Sequence, residues 1–357
     1  MYEGNFKHTK SFQSFYTFLT FYLLRQIIFT KKTETVLAVY KSTFEKYLEE
    51  KVRVKEPKNL YQPIEYILSL GGKKLRPILA LLSADAFGVD YKKALDVALA
   101  IEVFHNFTLI HDDIMDDAPL RRGKITVHEK WDINTGILSG DAMLILAYQY
   151  LESYESTVFK KLTQLFSKTG IEVCEGQQLD VDFETRDDVS IDEYMQMITL
   201  KTSVLVASTL KMGAIIANVT ESQAQKMYDF GLNLGIAFQL QDDYLDAFGD
   251  PKIFGKQVGG DIIENKKTYL YLTAIGNCNS KDKERLQELF SLKLDDNQKK
   301  IEGVKTIFDT SKASEETRIA IKKYTQKAFE VLETISISDD KKQLLRDFGE
   351  NLMNRNV

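Results

Sequence analysis

Two stretches of this 357-residue chain carry carboxylates at a spacing that can do chemistry. They are Asp112-Asp113-Ile114-Met115-Asp116 and Asp242-Asp243-Tyr244-Leu245-Asp246. On a helix the first and last Asp of each stretch are four apart and share a face. Carboxylates so close repel one another, which a solvated helix end tolerates. Each of these, however, follows an apolar run, FTLI before the first and LGIAF before the second. Buried carboxylates need cations. Oxygen ligands without His or Cys suit Mg²⁺, which stays partly hydrated and is shared with substrate phosphates. The chemistry expected of such a pair is metal-assisted handling of a diphosphate.

Cations stand beside both clusters. Gly71-Gly72-Lys73-Lys74-Leu75-Arg76-Pro77 sets a turn ahead of an apolar helix. Arg121-Arg122-Gly123-Lys124 follows the first acidic stretch. Lys201-Thr202 lies in a mostly apolar helical stretch, where a lone lysine is costly without an anion. Lys256 follows the second acidic stretch, within Phe254-Gly255-Lys256-Gln257-Val258-Gly259-Gly260-Asp261. Any one of these is usually a solvated charge; cations adjoining both clusters are what a polyphosphate requires. His105 lies seven residues before Asp112, so at about 100° per residue it falls within about 20° of it. Alone it reads as a core histidine, and beside a phosphate it reads as a hydrogen-bond donor.

Helices must hold these groups. The chain has only five prolines, none of them between Leu120 and Asp250, too little punctuation for a β-rich protein of this size. From about Thr33, Val36, Val39, Tyr40, Phe44, Tyr47 and Leu48 recur at three and four. Residues 92–117 and 137–168 read as long helices. Ser190 with Glu193 fits a capping box opening a helix to about Ala217, and Thr220 with Gln223 opens one to Phe248, stopped by Gly249-Asp250-Pro251. Ser338 can cap a last helix with Leu344, Leu345, Phe348 and Leu352 inward. No strand-type alternation of useful length appears. The expectation is an all-α protein, with one domain over residues 33–357 gathering segments from 71 to 267 around a single site.

A net charge of −5 lacks the basic surplus of a nucleic-acid binder. Two cysteines, Cys174 and Cys278, cannot build a disulfide framework and read as reduced thiols of a cytoplasmic protein. Residues 1–32 form an extension outside the core. Ser11–Phe29 is crowded with aromatics and nears the length of a membrane span, but Arg25 and Gln26 interrupt it. Membrane contact by this segment is not the favoured reading.

Together the motifs resemble the trans-isoprenyl diphosphate synthase family, the polyprenyl synthetases that include farnesyl and geranylgeranyl diphosphate synthases. GGKKLRP at 71, HDDIMD at 111, RRG at 121, GQQLD at 176, KT at 201, FQLQDDYLD at 238 and FGKQVGGD at 254 appear in family order and carry the resemblance over about Leu60 to Lys267. It implies antiparallel helices around a deep central cavity, the isoprenoid synthase fold, usually in a homodimer. It implies that Asp112, Asp116 and Asp242 hold a cluster of three Mg²⁺ ions, with Asp113, Asp180 and Asp246 as further candidate ligands. Arg121, Lys201, Thr202, Gln239 and Lys256 would hold an allylic diphosphate. Lys73, Arg76, His105 and Arg122 would hold isopentenyl diphosphate. Gln177 and Asp180 face the same region in the family, and Arg355 would close over the site.

The implied reaction ionises the allylic diphosphate, adds isopentenyl diphosphate to the cation in a dry pocket, and loses a proton to the departing diphosphate. In the family, the positions four and five before the first Asp line the tunnel for the growing chain. Here they are Thr108 and Phe107, with Phe104 a turn deeper. A bulky residue at 107 beside a small one at 108 resembles the short-chain enzymes making C15 or C20, with a slight preference for C20. A class I terpene cyclase shares one acidic motif but needs no second diphosphate site. A non-catalytic subunit of a heteromeric synthase typically lacks one motif, and this chain has both. Asp112→Ala or Asp242→Ala should remove nearly all turnover while circular dichroism keeps its helical form, because each supplies a metal contact and about 1.4 kcal/mol is tenfold in rate. Normal turnover in either variant would end the metal assignment.

Overall fold

The computed structural model describes residues 33–250, 258–291 and 297–353. The extension 1–32, Lys256 and Arg355 lie outside them. The described chain is helical except for one short hairpin. Its helices are α1 (33–51), α2 (Lys58–Ser69), α3 (Leu75–Ala86), α4 (Leu95–Met115), α5 (Val127–Lys130), α6 (Ile133–Leu151), α7 (Ser156–Glu184) and α8 (Ile191–Ile198). They continue as α9 (Val204–Ile216), α10 (Glu221–Phe248), α11 (Gly260–Ile263), α12 (Tyr269–Asn277), α13 (Ser280–Ser291), α14 (Asn297–Thr310), α15 (Ala313–Glu333) and α16 (Asp339–Met353).

A helix that is apolar all round belongs inside. α4 and α9 are of this kind, buried at most positions from Val97 to Ile110 and from Val204 to Ile215. The continuous helical stretches that contain them, Tyr91–Met115 and Ile191–Ile216, are long and apolar enough to cross a membrane by composition, but 67% and 72% of their most apolar windows are buried in the fold. α3 packs against both, α6 covers α4, and α10 packs between α9 and α15. α2, α8 and α16 are amphipathic and turn their apolar faces inward. The expected caps are present: Ser190 and Glu193 form a reciprocal capping box, and the Thr220 side chain accepts from the Gln223 backbone. Leu344, Leu345, Phe348 and Leu352 of α16 are buried as their spacing predicts.

Two local features depart from the sequence reading. Residues 137–168 are not one helix. α6 ends at Leu151 and α7 begins at Ser156, because the corner between them is tied to the start of α4. There Ser153 donates to Asp96 at 2.7 Å, and the Tyr154 hydroxyl donates to the Lys93 carbonyl at 2.8 Å and accepts from the Val97 amide at 3.2 Å. The second departure is a π-helical turn, Thr199–Ser203, between α8 and α9. The Ser203 hydroxyl donates to the Ile198 carbonyl across this widened turn at 3.2 Å.

Glycines on both flanks let neighbouring helices close on the π turn. A Cβ at Gly176 of α7 would stand 2.2 Å from the Lys201 amide nitrogen, and one at Gly235 of α10 would stand 2.8 Å from the Ser203 Cα. Gly176→Ala should therefore force α7 off the turn, costing about 1–3 kcal/mol of stability as overpacking does. It should lower kcat/KM further by moving Lys201. Gly276→Ala, where an added Cβ meets nothing within 4 Å, should leave both thermal melting and kcat/KM unharmed. Equal behaviour of the two variants would contradict the packing argument.

Candidate active site

The second acidic motif and the end of the first open onto one cleft of about 1100 Å³. Asp116 enters it from the C-terminal end of α4, Asp242, Asp243 and Asp246 from α10, Asp180 from α7, and Lys201 and Thr202 from the π turn. The cleft gathers more negative charge than local cations balance. Asp243 is buried, and burial pushes its carboxyl up to about 7 against the hydrogen bonds it accepts from the Tyr194 hydroxyl and from Gln239 Nε2, the latter at 2.8 Å. Asp246 Oδ2 accepts from the Asp261 amide at 3.0 Å, which brings a further carboxylate in. Asp261 is driven up by burial and then by Asp243 and Asp246. Asp116 is raised by desolvation in the cleft and by Asp112.

The cations answer this charge. Burial alone would lower Lys201, but Asp112 and Asp180 outweigh it and raise the ammonium. Its Nζ lies 2.5 Å from Asp180 and 3.5 Å from Asp112. The anion that the sequence demands for this lysine is thus a pair of carboxylates. Thr202 Oγ1 donates to Gln239 Oε1 at 3.0 Å, so these two expected ligands support one another. Arg121 grips Asp113 through Nε at 2.8 Å and through Nη2, with Asp112 at 3.7 Å. Asp113 is 1% exposed and does not line the cleft, a position suited to holding Arg121 rather than a metal. Lys266 and Asp261 were not singled out from the sequence. Lys266 lines the cleft, where Asp261 and Glu264 overcome its burial and raise it. The signal was its place shortly after Gly259-Gly260-Asp261, but the run by itself reads as a solvated turn.

A second group of cations forms where α3, α4 and the hairpin meet. Gly71 and Gly72, with φ of 79° and 114°, turn the chain so that Lys74 points inward and Lys73 outward. Lys74 Nζ lies 2.8 Å from Glu102 Oε1 with both side chains 3% exposed, and Asn106 Nδ2 donates to the same oxygen at 3.1 Å. Arg76 Nη1 donates to His105 Nε2 at 3.1 Å. Burial, followed by Arg76 and Arg122, holds His105 well below its ordinary value, so the ring is neutral and accepts this bond. Arg76 is itself pushed down to about 10 by burial and by Arg122, against Glu102.

The hairpin pairs β1 (Leu120–Arg121) with β2 (Lys124–Ile125), and its turn residues Arg122 and Gly123 both have positive φ. That turn sends the two arginines to different partners. Arg121 goes to the acidic motif, and Arg122 Nη1 donates to the Gly71 carbonyl at 2.6 Å. A Cβ at Gly72 would meet the Arg122 guanidinium at 3.1 Å.

The chain-length candidates sit on the preceding turns of α4. Phe104 packs between Phe107 and Phe166, with ring centroids at 5.4 and 5.1 Å, and Phe107 meets His111 at 4.9 Å. Thr108 donates to the His105 carbonyl at 2.8 Å. None of the three lines the acidic cleft. Gln177 reaches Met115, its Nε2 4.0 Å from the sulfur.

An all-oxygen, carboxylate-rich donor set, in which a buried oxygen of Asp112 accepts no hydrogen bond and has only the Lys201 ammonium at 3.5 Å, fits a hard divalent ion. Residues 57–308 match the family model described as polyprenyl synthetase. The chain belongs to the polyprenyl synthetase family. It is an enzyme, a trans-prenyltransferase with the all-α isoprenoid synthase fold. It is 37% identical over 310 residues to a short chain isoprenyl diphosphate synthase of Methanothermobacter thermautotrophicus, covering 87% of this chain and 94% of that one. It is 41% identical over 229 residues to a geranylgeranyl diphosphate synthase of Methanosarcina mazei, covering 64% and 71%. A crystal structure of a geranylgeranyl pyrophosphate synthase superposes with a TM-score of 0.87 at 56% identity, covering 90% of this chain and 99% of the other.

The Lys74–Glu102 pair anchors the junction between the loop that carries Lys73 and the start of α3 that carries Arg76. Removing one partner of a buried ion pair costs about 3–5 kcal/mol, whereas replacing both by apolar groups is often neutral. Glu102→Leu should thus lower the denaturation midpoint strongly, and Lys74→Met combined with Glu102→Leu should recover most of that loss. A double variant no more stable than Glu102→Leu would show that the pair is not the anchor.

Proposed function

We propose that the enzyme condenses isopentenyl diphosphate with an allylic diphosphate to give an all-trans geranylgeranyl (C20) diphosphate. The observation that carries this reading is the presence of two cation groups in different settings, one interleaved with several carboxylates and one beside Glu102, which Lys74 already holds. Arg121, Lys201, Thr202 and Gln239, joined by Lys256, would hold the allylic diphosphate. Arg76, His105, Arg122 and Lys73 would hold isopentenyl diphosphate, where Arg122 can pair bidentately with phosphate oxygens.

Asp112, Asp116 and Asp242 would hold Mg²⁺, three ions in all, with Asp180 and Asp246 in reach of the same cleft. Bound Mg²⁺ supplies neutralisation of the diphosphate as it departs. The chain's own part is to orient the two substrates and to keep water from the allylic cation. The proton lost at the end goes to the departing diphosphate, since the carboxylates are engaged with metal. Two identical subunits suit the exposed apolar side chains Ile133, Ile137, Leu138 and Ile145 of α6, which a second copy can cover. The cytoplasmic location expected from the sequence belongs to the same reading.

Incubating the enzyme with labelled isopentenyl diphosphate and an allylic starter, then separating the dephosphorylated products, tests the proposal. A C20 alcohol is the expected product; cyclic products, or none, would overturn it. Phe107→Ala should lengthen the product by one or more five-carbon units, and the lost ring should cost about 3–5 kcal/mol of stability. Thr108→Phe should shorten it. If Phe104→Ala alone lengthens the product, the floor lies a turn deeper; if neither Phe107→Ala nor Phe104→Ala does, length is set elsewhere.

A further inference from the structure

His128 is 7% exposed, and neither of its ring nitrogens has a hydrogen-bond partner. A buried imidazole without partners is costly, and such an orphan in a folded protein usually marks a water or an ion. Two exposed carboxylates, Asp117 and Glu129, bring an oxygen each to it, and the three ligand atoms all lie within 4.8 Å of one another. We propose that Asp117, His128 and Glu129 form a binding site for one divalent transition-metal ion, separate from the catalytic carboxylates.

The donor set identifies the class of ion. One imidazole with two carboxylates suits zinc and its first-row neighbours, whereas Mg²⁺ takes oxygen ligands alone. Ligands at about 2.1 Å in a tetrahedron stand roughly 3.4 Å apart, so a rotamer adjustment of the two exposed carboxylates closes the triangle. His128 is fixed by burial while Asp117 and Glu129 are free to move, leaving a position open to water.

The placement gives the ion a task. Asp117, at φ 49°, follows the last residue of the first acidic motif, while His128 and Glu129 lie on α5, just past the hairpin that carries Arg121 and Arg122. An ion here would staple the end of α4 to α5 and close the loop between them. It would hold Asp116 and both arginines in place without touching substrate. The proposal does not rest on the product or the substrates assigned above. The competing account is a water shared by His128 and Asp113, whose buried Oδ2 also lacks a partner.

The test uses full-length protein stripped with a chelator, dialysed, and titrated with Co²⁺ and then Zn²⁺ in excess Mg²⁺. The wild type should bind one Co²⁺ with an imidazole-ligated absorption spectrum, displaced by Zn²⁺, and Asp112→Asn should keep it. His128→Gln should abolish the spectrum. Asp117→Asn and Glu129→Gln, both at exposed positions and harmless to folding, should weaken binding by about tenfold or more. Zn²⁺ should also slow hydrogen exchange over residues 117–129 in the wild type and not in Asp117→Asn. Unchanged Co²⁺ binding in Asp117→Asn and Glu129→Gln would overturn the site, as would no Co²⁺ bound by the wild type. The second outcome would favour the shared water. Because each readout is metal binding or exchange, it is independent of whether the prenyl transfer reading holds.

Discussion

The repulsion among carboxylates gathered at one cleft is the constraint on which the rest of the structure depends. Asp116, Asp180, Asp242, Asp243, Asp246 and Asp261 come from α4, α7, α10 and the short α11, with Asp112 just behind them, and only part of their charge is answered by lysine and arginine. A fold that tolerates this must hold those helices rigidly by other means. It does so with an apolar interior on both sides: one cluster runs from Tyr40 through α4 and α9 to Leu352, and another from Phe183 through α12 to Ile321. Leu232 of α10 and Met353 of α16 pack against both. Hydrophobic burial thus maintains a charge arrangement that, without a bound cation, opposes folding.

Rigid placement needs close approach, and close approach explains the π turn. Lys201 has to stand between the carboxylates of α4 and α7 while Thr202 meets Gln239 of α10. An α-helix with its regular 3.6-residue period would present these consecutive residues about 100° apart on a narrower cylinder. The widened turn shifts their directions, and the bare flanks at Gly176 and Gly235 let the neighbouring helices meet it. Such π insertions occur often at functional sites for this reason.

What the sequence made legible divides along a physical line. Features set by neighbours in the chain were readable: the Asp pairs four apart, the Ser190–Glu193 capping box, the apolar stripe of α16, and the turn at Gly71-Gly72. Features set by contacts across the fold were not. The α6–α7 corner exists because Ser153 and Tyr154 reach the start of α4. The pairing of Arg121 with Asp113 depends on the hairpin folding back, and the nearness of Lys266 to Asp261 and Asp180 depends on a turn packing onto α10. Lys201 shows both halves. Its need for an anion followed from its apolar helix, yet which anion it takes was decided by α4 and α7.

The two cation groups differ in a way that bears on how each would treat a diphosphate. Arg121 and Lys201 are already paired with carboxylates, so an incoming diphosphate meets negative charge as well as positive, a balance that the Mg²⁺ of the proposed reaction would tip. Burial lowers both Arg76 and Arg122, helped by Arg122 at the first and by Arg121 at the second, and the carboxylate that opposes both shifts, Glu102, is held by Lys74. A diphosphate arriving there meets surplus positive charge and a neutral His105. One residue step, from Arg121 to Arg122 across a turn with positive φ, separates the two settings. In the proposed reaction that step lets the leaving diphosphate depend on metal while the other, which stays on its carbon chain during that condensation, is gripped by protein alone.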